Sequence, residues 1–135
     1  MKNIFRVIYL ISTFTIIISV YDPYTDCLNG IKVNEEHLHI VAIKNDTALN
    51  DTSGDYFLCV WQSTKIVNKA GEVNIKQLDN FIGEELMNIM DAQPIRQTIK
   101  DKLRKCDLTP SKVHTETAIK IKNCHAKIVT ELLKD

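Results

Sequence analysis

Four cysteines, and the distances between them, restrict this chain more than any other feature. Cys27, Cys59, Cys106 and Cys124 are separated by 31, 46 and 17 residues, and no C-x-x-C pair occurs. That spacing does not suit a zinc site. What the cysteines do depends on the compartment, which the first twenty residues indicate. "MKNIFRVIYLISTFTIIISV" opens with Lys2 and Arg6 and is apolar from Val7 to Val20, apart from small hydroxyl residues. A charged n-region followed by an h-region is the pattern of a secretory signal peptide. A membrane anchor is the competing reading, but the apolar run falls short of the ~20 residues a span needs, and no stop-transfer charges follow. The expected division is a signal peptide over residues 1–20 and one domain over residues 21–135. The cut falls near Ser19 or Val20. A secreted, extracellular chain meets oxidising conditions, where an even cysteine count reads as two disulfides. The count alone leaves three pairings open.

Residues 21–135 carry 15 basic and 17 acidic side chains, a net charge of about −2. The two signs are mixed along the length, with no basic stripe, which argues against a nucleic-acid partner. Two sequons, Asn45-Asp46-Thr47 and Asn50-Asp51-Thr52, share one polar stretch and mark Asn45 and Asn50 as glycosylation candidates on a surface loop.

The pattern is all-α, with six short helices. Pro23 opens a helix around residues 24–31 that Asn29-Gly30 can end. Asn34 is an N-cap for residues 35–44, with Val33 and Leu38 placed as a hydrophobic staple. A third helix is expected from about Ser53 to Asn68, apolar over so wide an arc that it must be buried on most sides. Residues 75–90 repeat Leu78, Phe81, Ile82, Leu86 and Ile89 at three- and four-residue steps. Pro94 opens a fifth helix carrying Ile95, Ile99, Leu103 and Cys106. Thr109-Pro110 reads as the cap and first position of the last helix, whose apolar face holds Ala118, Ile121, Cys124, Ile128 and Leu132. Two cysteines on adjacent helices joined by that short turn suggest Cys106–Cys124, and Cys27–Cys59 then follows by exclusion.

With this cysteine order and helix count, the chain resembles the insect odorant-binding proteins of the pheromone and general odorant-binding type. Members of that family carry six cysteines, paired first–third, second–fifth and fourth–sixth. Cys27, Cys59, Cys106 and Cys124 match the first, third, fourth and sixth. The second and fifth would stand at positions 55 and 115, which here are Asp55 and Thr115. The missing two are the halves of one bridge, as in the four-cysteine "minus-C" subgroup. The resemblance implies six helices around an apolar cavity, stapled by Cys27–Cys59 and Cys106–Cys124. It implies a carrier of small hydrophobic ligands such as odorants or pheromones, with no cofactor, no metal and no enzymatic activity. A chemosensory receptor is the implied onward partner, and a monomer or weak homodimer the implied state.

By the same comparison Phe57 and Trp61, two residues either side of the third cysteine, line the cavity. Val73, Phe81, Leu103 and Ile121 are further ligand-binding positions, and Leu78 joins them from the buried face of the fourth helix. His125 lies beside the cavity on the last helix, where a titrating imidazole could gate release. His37, His39 and His114 read as surface or structural. The indole N–H of Trp61 needs a partner if buried: a ligand oxygen, a water or a backbone carbonyl. Only eleven residues follow Cys124, too few for both the last helix and a long inserting tail. No nucleophile elbow, zinc-protease motif or P-loop is present. The alternative reading is a secreted interaction protein, of venom, saliva or seminal fluid, that uses the same scaffold without a small ligand.

Overall fold

A computed structural model of the protein describes residues 22–88 and 95–134. The expected leader, the segment around Pro94 and the end of the fourth expected helix lie outside the described residues. Six helices and no strand occur among those residues: α1 (Pro23–Gly30), α2 (Glu35–Ala42), α3 (Gly54–Ser63), α4 (Ile75–Met87), α5 (Arg96–Arg104) and α6 (His114–Lys134). Three starts follow directly from local chemistry. Asp22 accepts the Tyr24 amide ahead of Pro23, Asn34 accepts the His37 amide, and Asn74 accepts the Gln77 amide. Each side chain satisfies one of the donors that a helix N-terminus leaves without a partner.

The two cystines are Cys27–Cys59 and Cys106–Cys124, as the topology and the resemblance both implied. The first ties α1 to α3. The second ties the chain just after α5 to the middle of α6. With sequence separations of 32 and 18, each is worth about 3–4 kcal/mol as loop-closure entropy. Between these clamps α3 packs on α6 and on α1, while α4, α5 and α6 pack on one another. α3 buries Tyr56, Phe57, Val60 and Trp61.

Two expected boundaries are corrected. α3 stops at Ser63 rather than near Asn68 because Lys65 turns left-handed, with φ of 66°. The Ile66 amide then reaches back to Trp61 O and the Lys65 amide to Gln62 O, at 2.9 and 3.1 Å. That is a Schellman closure, made here without glycine at a cost of about 1–2 kcal/mol. Burial of both Ile66 and Trp61 offsets the strain. A hairpin-like turn follows, with an isolated bridge between Val67 and Val73. Gly71, at φ of 85°, leaves the room there that the His114 ring occupies.

The second correction concerns α6, which starts at His114 and not at Pro110. The Cys106–Cys124 bond explains this. A helix begun at Pro110 would place Cys124 about 21 Å along its axis. Four extended residue steps from Cys106 reach only about 14 Å. Residues 107–113 therefore run as a non-helical strap back along α6. Asp107 holds the Thr109 amide, Lys120 donates to Thr109 O, and Ser111 bonds Glu116 and Thr117.

α2 is joined to the rest by a side chain that the sequence pattern does not single out. Lys122 of α6 is fully buried, and its ammonium donates to Val41 O, Lys44 O and Thr47 Oγ1. The lysine thus caps the C-terminal end of α2 from across the fold. Asn123 adds a two-way bond with the Thr47 backbone. Burial lowers the Lys122 pKa to about 8, with Asp51 and Asp46 pulling it up and Lys44 pushing it down.

Lys122→Met should destabilise the protein by about 2–3 kcal/mol at neutral pH, because buried carbonyls lose their donor. The folded-state pKa lies below the ordinary value of 10.5, so between about pH 8 and 10.5 the unfolded chain holds more protons at this site. Wild-type stability relative to Lys122→Met should therefore rise with pH through that window. Urea denaturation of both proteins across the range measures this, and a difference independent of pH would contradict it.

Candidate functional site

Sequence spacing assigns the aromatic side chains to faces, and the helices bring four of them together. Phe57 and Trp61, one turn apart on α3, lie with ring centroids 6.5 Å apart and planes at 21°. Phe81 from α4 meets Trp61 edge-on at 5.7 Å. His125 from α6 completes the group, 5.9 Å from both Trp61 and Phe81. Tyr56 stacks edge-on against Phe57, and Tyr24 reaches Phe81 at 6.4 Å. Such offset and edge-on pairs add to the area they bury.

Two polar atoms of the cluster have partners within the protein. The Trp61 indole donates to Ala118 O at 3.0 Å, so its partner is a backbone carbonyl of α6. The His125 ring pairs through Nε2 with Glu85 at 3.1 Å. Burial pushes the Tyr24 hydroxyl well above its ordinary range, with Glu85 adding to the effect. Burial likewise pushes Tyr56 up to about 12, helped by Asp22. Both phenols stay neutral across the physiological range. On the opposite side of α2, His37 pairs with Asp51 at 2.9 Å. Partial burial would raise the Asp51 pKa, but bonds from the Ser53 hydroxyl and amide and from His37 outweigh it and hold it low.

Open space lies beside this cluster rather than inside it. One opening is a cleft of about 800 Å³ between α4 and α5. Ile75, Leu103, Leu108 and the Cys106 cystine give it apolar surface. Lys76, Arg96, Lys100 and Arg104 border it, with Asp79 and Asn80 on the α4 side. Asp79 is buried, and its Oδ1 has no hydrogen-bond partner among the described residues. The Arg96 guanidinium rests on Gly83, where any side chain would displace it. A smaller hollow of about 140 Å³ opens between α1, α2 and α3, bordered by Tyr24, Leu28, Leu38 and Phe57.

The eight expected ligand-binding positions therefore divide. Phe57, Trp61, Phe81 and His125 form one packed cluster. Leu78 and Ile121 are fully buried in the same core, with Val73 half-buried against it. Leu103 lies on the large cleft and Phe57 on the small hollow. The basic border of the cleft corrects the expectation of no basic stripe: Arg96, Lys100 and Arg104 stand four residues apart on one face of α5. It went unread because surface lysines and arginines have that spacing on many helices. Asn45 and Asn50 are exposed on the segment between α2 and α3. Among the described residues no group of three or more acidic, histidine or cysteine side chains could hold a metal ion, and no helix is long and apolar enough to cross a membrane.

Comparison with family models matches residues 20–127 to the PBP/GOBP family. Neither the comparison with curated proteins nor that with solved structures gave a match.

The start of α3 abuts α6 where the absent bridge would lie: a Cβ added at Gly54 would fall 2.9 Å from Thr115 Cβ. Position 54 thus faces Thr115, while the exposed Asp55 lies about 100° further round α3, so the double variant Asp55→Cys, Thr115→Cys must rewind the first turn of α3 by that amount to close a third disulfide. Thiol titration should find no free cysteine, and the melting temperature should rise by about 5 °C or more. Two free thiols in the folded double variant would contradict the assignment of positions 55 and 115.

Proposed function

We propose, because the chain belongs to the PBP/GOBP family, that it is a secreted carrier binding small hydrophobic ligands reversibly and without bond chemistry. The observation that supports this most is the α4–α5 cleft. Its volume of about 800 Å³ falls within the ~300–1,000 Å³ typical of small-molecule sites, and its floor is apolar. Burial at ~25 cal/mol per Å² of apolar surface is enough for micromolar binding of a chain of 10–15 carbons, after association costs.

In this reading Leu103 is the ligand-binding position on the cleft floor. Phe57, Trp61, Val73, Leu78, Phe81, Ile121 and His125 make the packed wall behind it, which a ligand reaches as α4 and α5 separate. Separation is easiest there because no cystine lies on α4, and α5 is tethered only past its end, at Cys106. A scaffold clamped on one side and loose on the other favours broad ligand acceptance. Handing the ligand to a chemosensory receptor is the role such a carrier would serve.

A hydrophobic naphthylamine dye should bind with a micromolar Kd and be displaced by alcohols of ten to fourteen carbons. Leu103→Phe, which narrows the floor, should weaken displacement several-fold while the protein stays folded by circular dichroism. Failure of the whole alcohol panel to displace the dye would overturn the carrier reading in favour of a secreted interaction protein.

A further inference from the structure

The border of the cleft has a charge out of keeping with the chain. Residues 21–135 carry a slight acidic excess, yet the cleft is bordered by four cations and one carboxylate. Arg96, Lys100 and Arg104 stand four residues apart on α5, where like charges disfavour the helix. Arg104 shares Asp101 at 3.4 Å, whereas Lys76 and Lys100 form no ion pair among the described residues. The apolar floor is recessed below these cations, with Leu103 and Leu108 nearly buried. Greasy inside and cationic at the mouth, the cleft has the polarity of a site for a molecule with an apolar tail and an anionic head.

We infer that the α4–α5 cleft prefers single-chain carboxylates, with the acyl chain over Leu103 and Leu108 and the carboxylate held by Lys100, Arg104 and Arg96. This rests on the carrier reading above and names its ligand class. Asp79 helps to set the orientation. With Asn80 it takes up the α4 side of the mouth, where Lys76 is the one cation, while three cations line the α5 side, so the head group sits toward α5. The recess separates this ligand from a bilayer surface. A bilayer engages protruding apolar side chains beneath a cationic band, whereas here Leu103 and Leu108 are sunk and only Ile75 at the rim is exposed.

Calorimetric titration with dodecanoate, dodecan-1-ol and methyl dodecanoate at neutral pH tests the inference. Dodecanoate should bind about tenfold more tightly than the other two at low salt, and added salt should erode that margin. Lys100→Gln combined with Arg104→Gln, both at exposed positions, should abolish the margin and bring the three affinities together. The salt series on the unaltered protein is a second readout, independent of any variant. Equal binding of all three ligands at low salt would overturn the inference and leave the carrier reading standing. Binding of none would remove both. Sedimentation with phosphatidylserine vesicles, without binding of free dodecanoate, would also overturn it and assign the cations to a membrane surface.

Discussion

The contact between α3 and α6 is the constraint that the rest of the molecule follows. α3 carries too many large apolar side chains to face water on any broad side, and α6, the longest helix among the described residues, covers it. Trp61 sits at the centre of the contact. Its ring is buried, and its one polar atom is satisfied by Ala118 O. Replacing such a residue with alanine typically costs 3–5 kcal/mol, a large part of the stability of a domain this size. The Schellman closure after Ser63 belongs to the same contact, since it folds Ile66 back onto Trp61 and sends the chain toward α4.

α6 serves its neighbours through different side chains on successive positions. Ile121 enters the core, Lys122 caps α2, Cys124 tethers the end of α5, and His125 pairs with Glu85 of α4. Four positions within five residues thus address the core and three other helices. Substitutions there should be tolerated poorly, and for different reasons at each position: a cavity, an orphaned carbonyl, a lost cystine or a broken hydrogen bond.

Much of this could be read from the chain, and the parts that could not have a shared cause. Asn34 and Pro23 announced helix starts because caps are local. The cystine pairing followed from which helices adjoin. The start of α6 was missed because a distant covalent bond overrode a good local signal at Thr109-Pro110. Lys65 was missed because a left-handed lysine has no sequence signature. The site was half legible. Phe57, Trp61 and Phe81 do pack in one cluster, but helical periodicity is the same for a core residue and a cavity wall. The cleft forms between two helices, from residues that look like ordinary surface until α4 and α5 are set side by side.

The buried lysine also bears on the order in which the molecule assembles. α2 has eight residues, too few to persist alone in water. The group that closes its last turn arrives from 75–81 positions later in the chain. As the polypeptide is made, α2 must wait for nearly the whole of it before its end is capped. The residues after it, Asn45 and Asn50 among them, stay loose for that interval. Pulsed hydrogen exchange during refolding would register this as protection at Lys44 appearing together with that of α6, and earlier protection would exclude it.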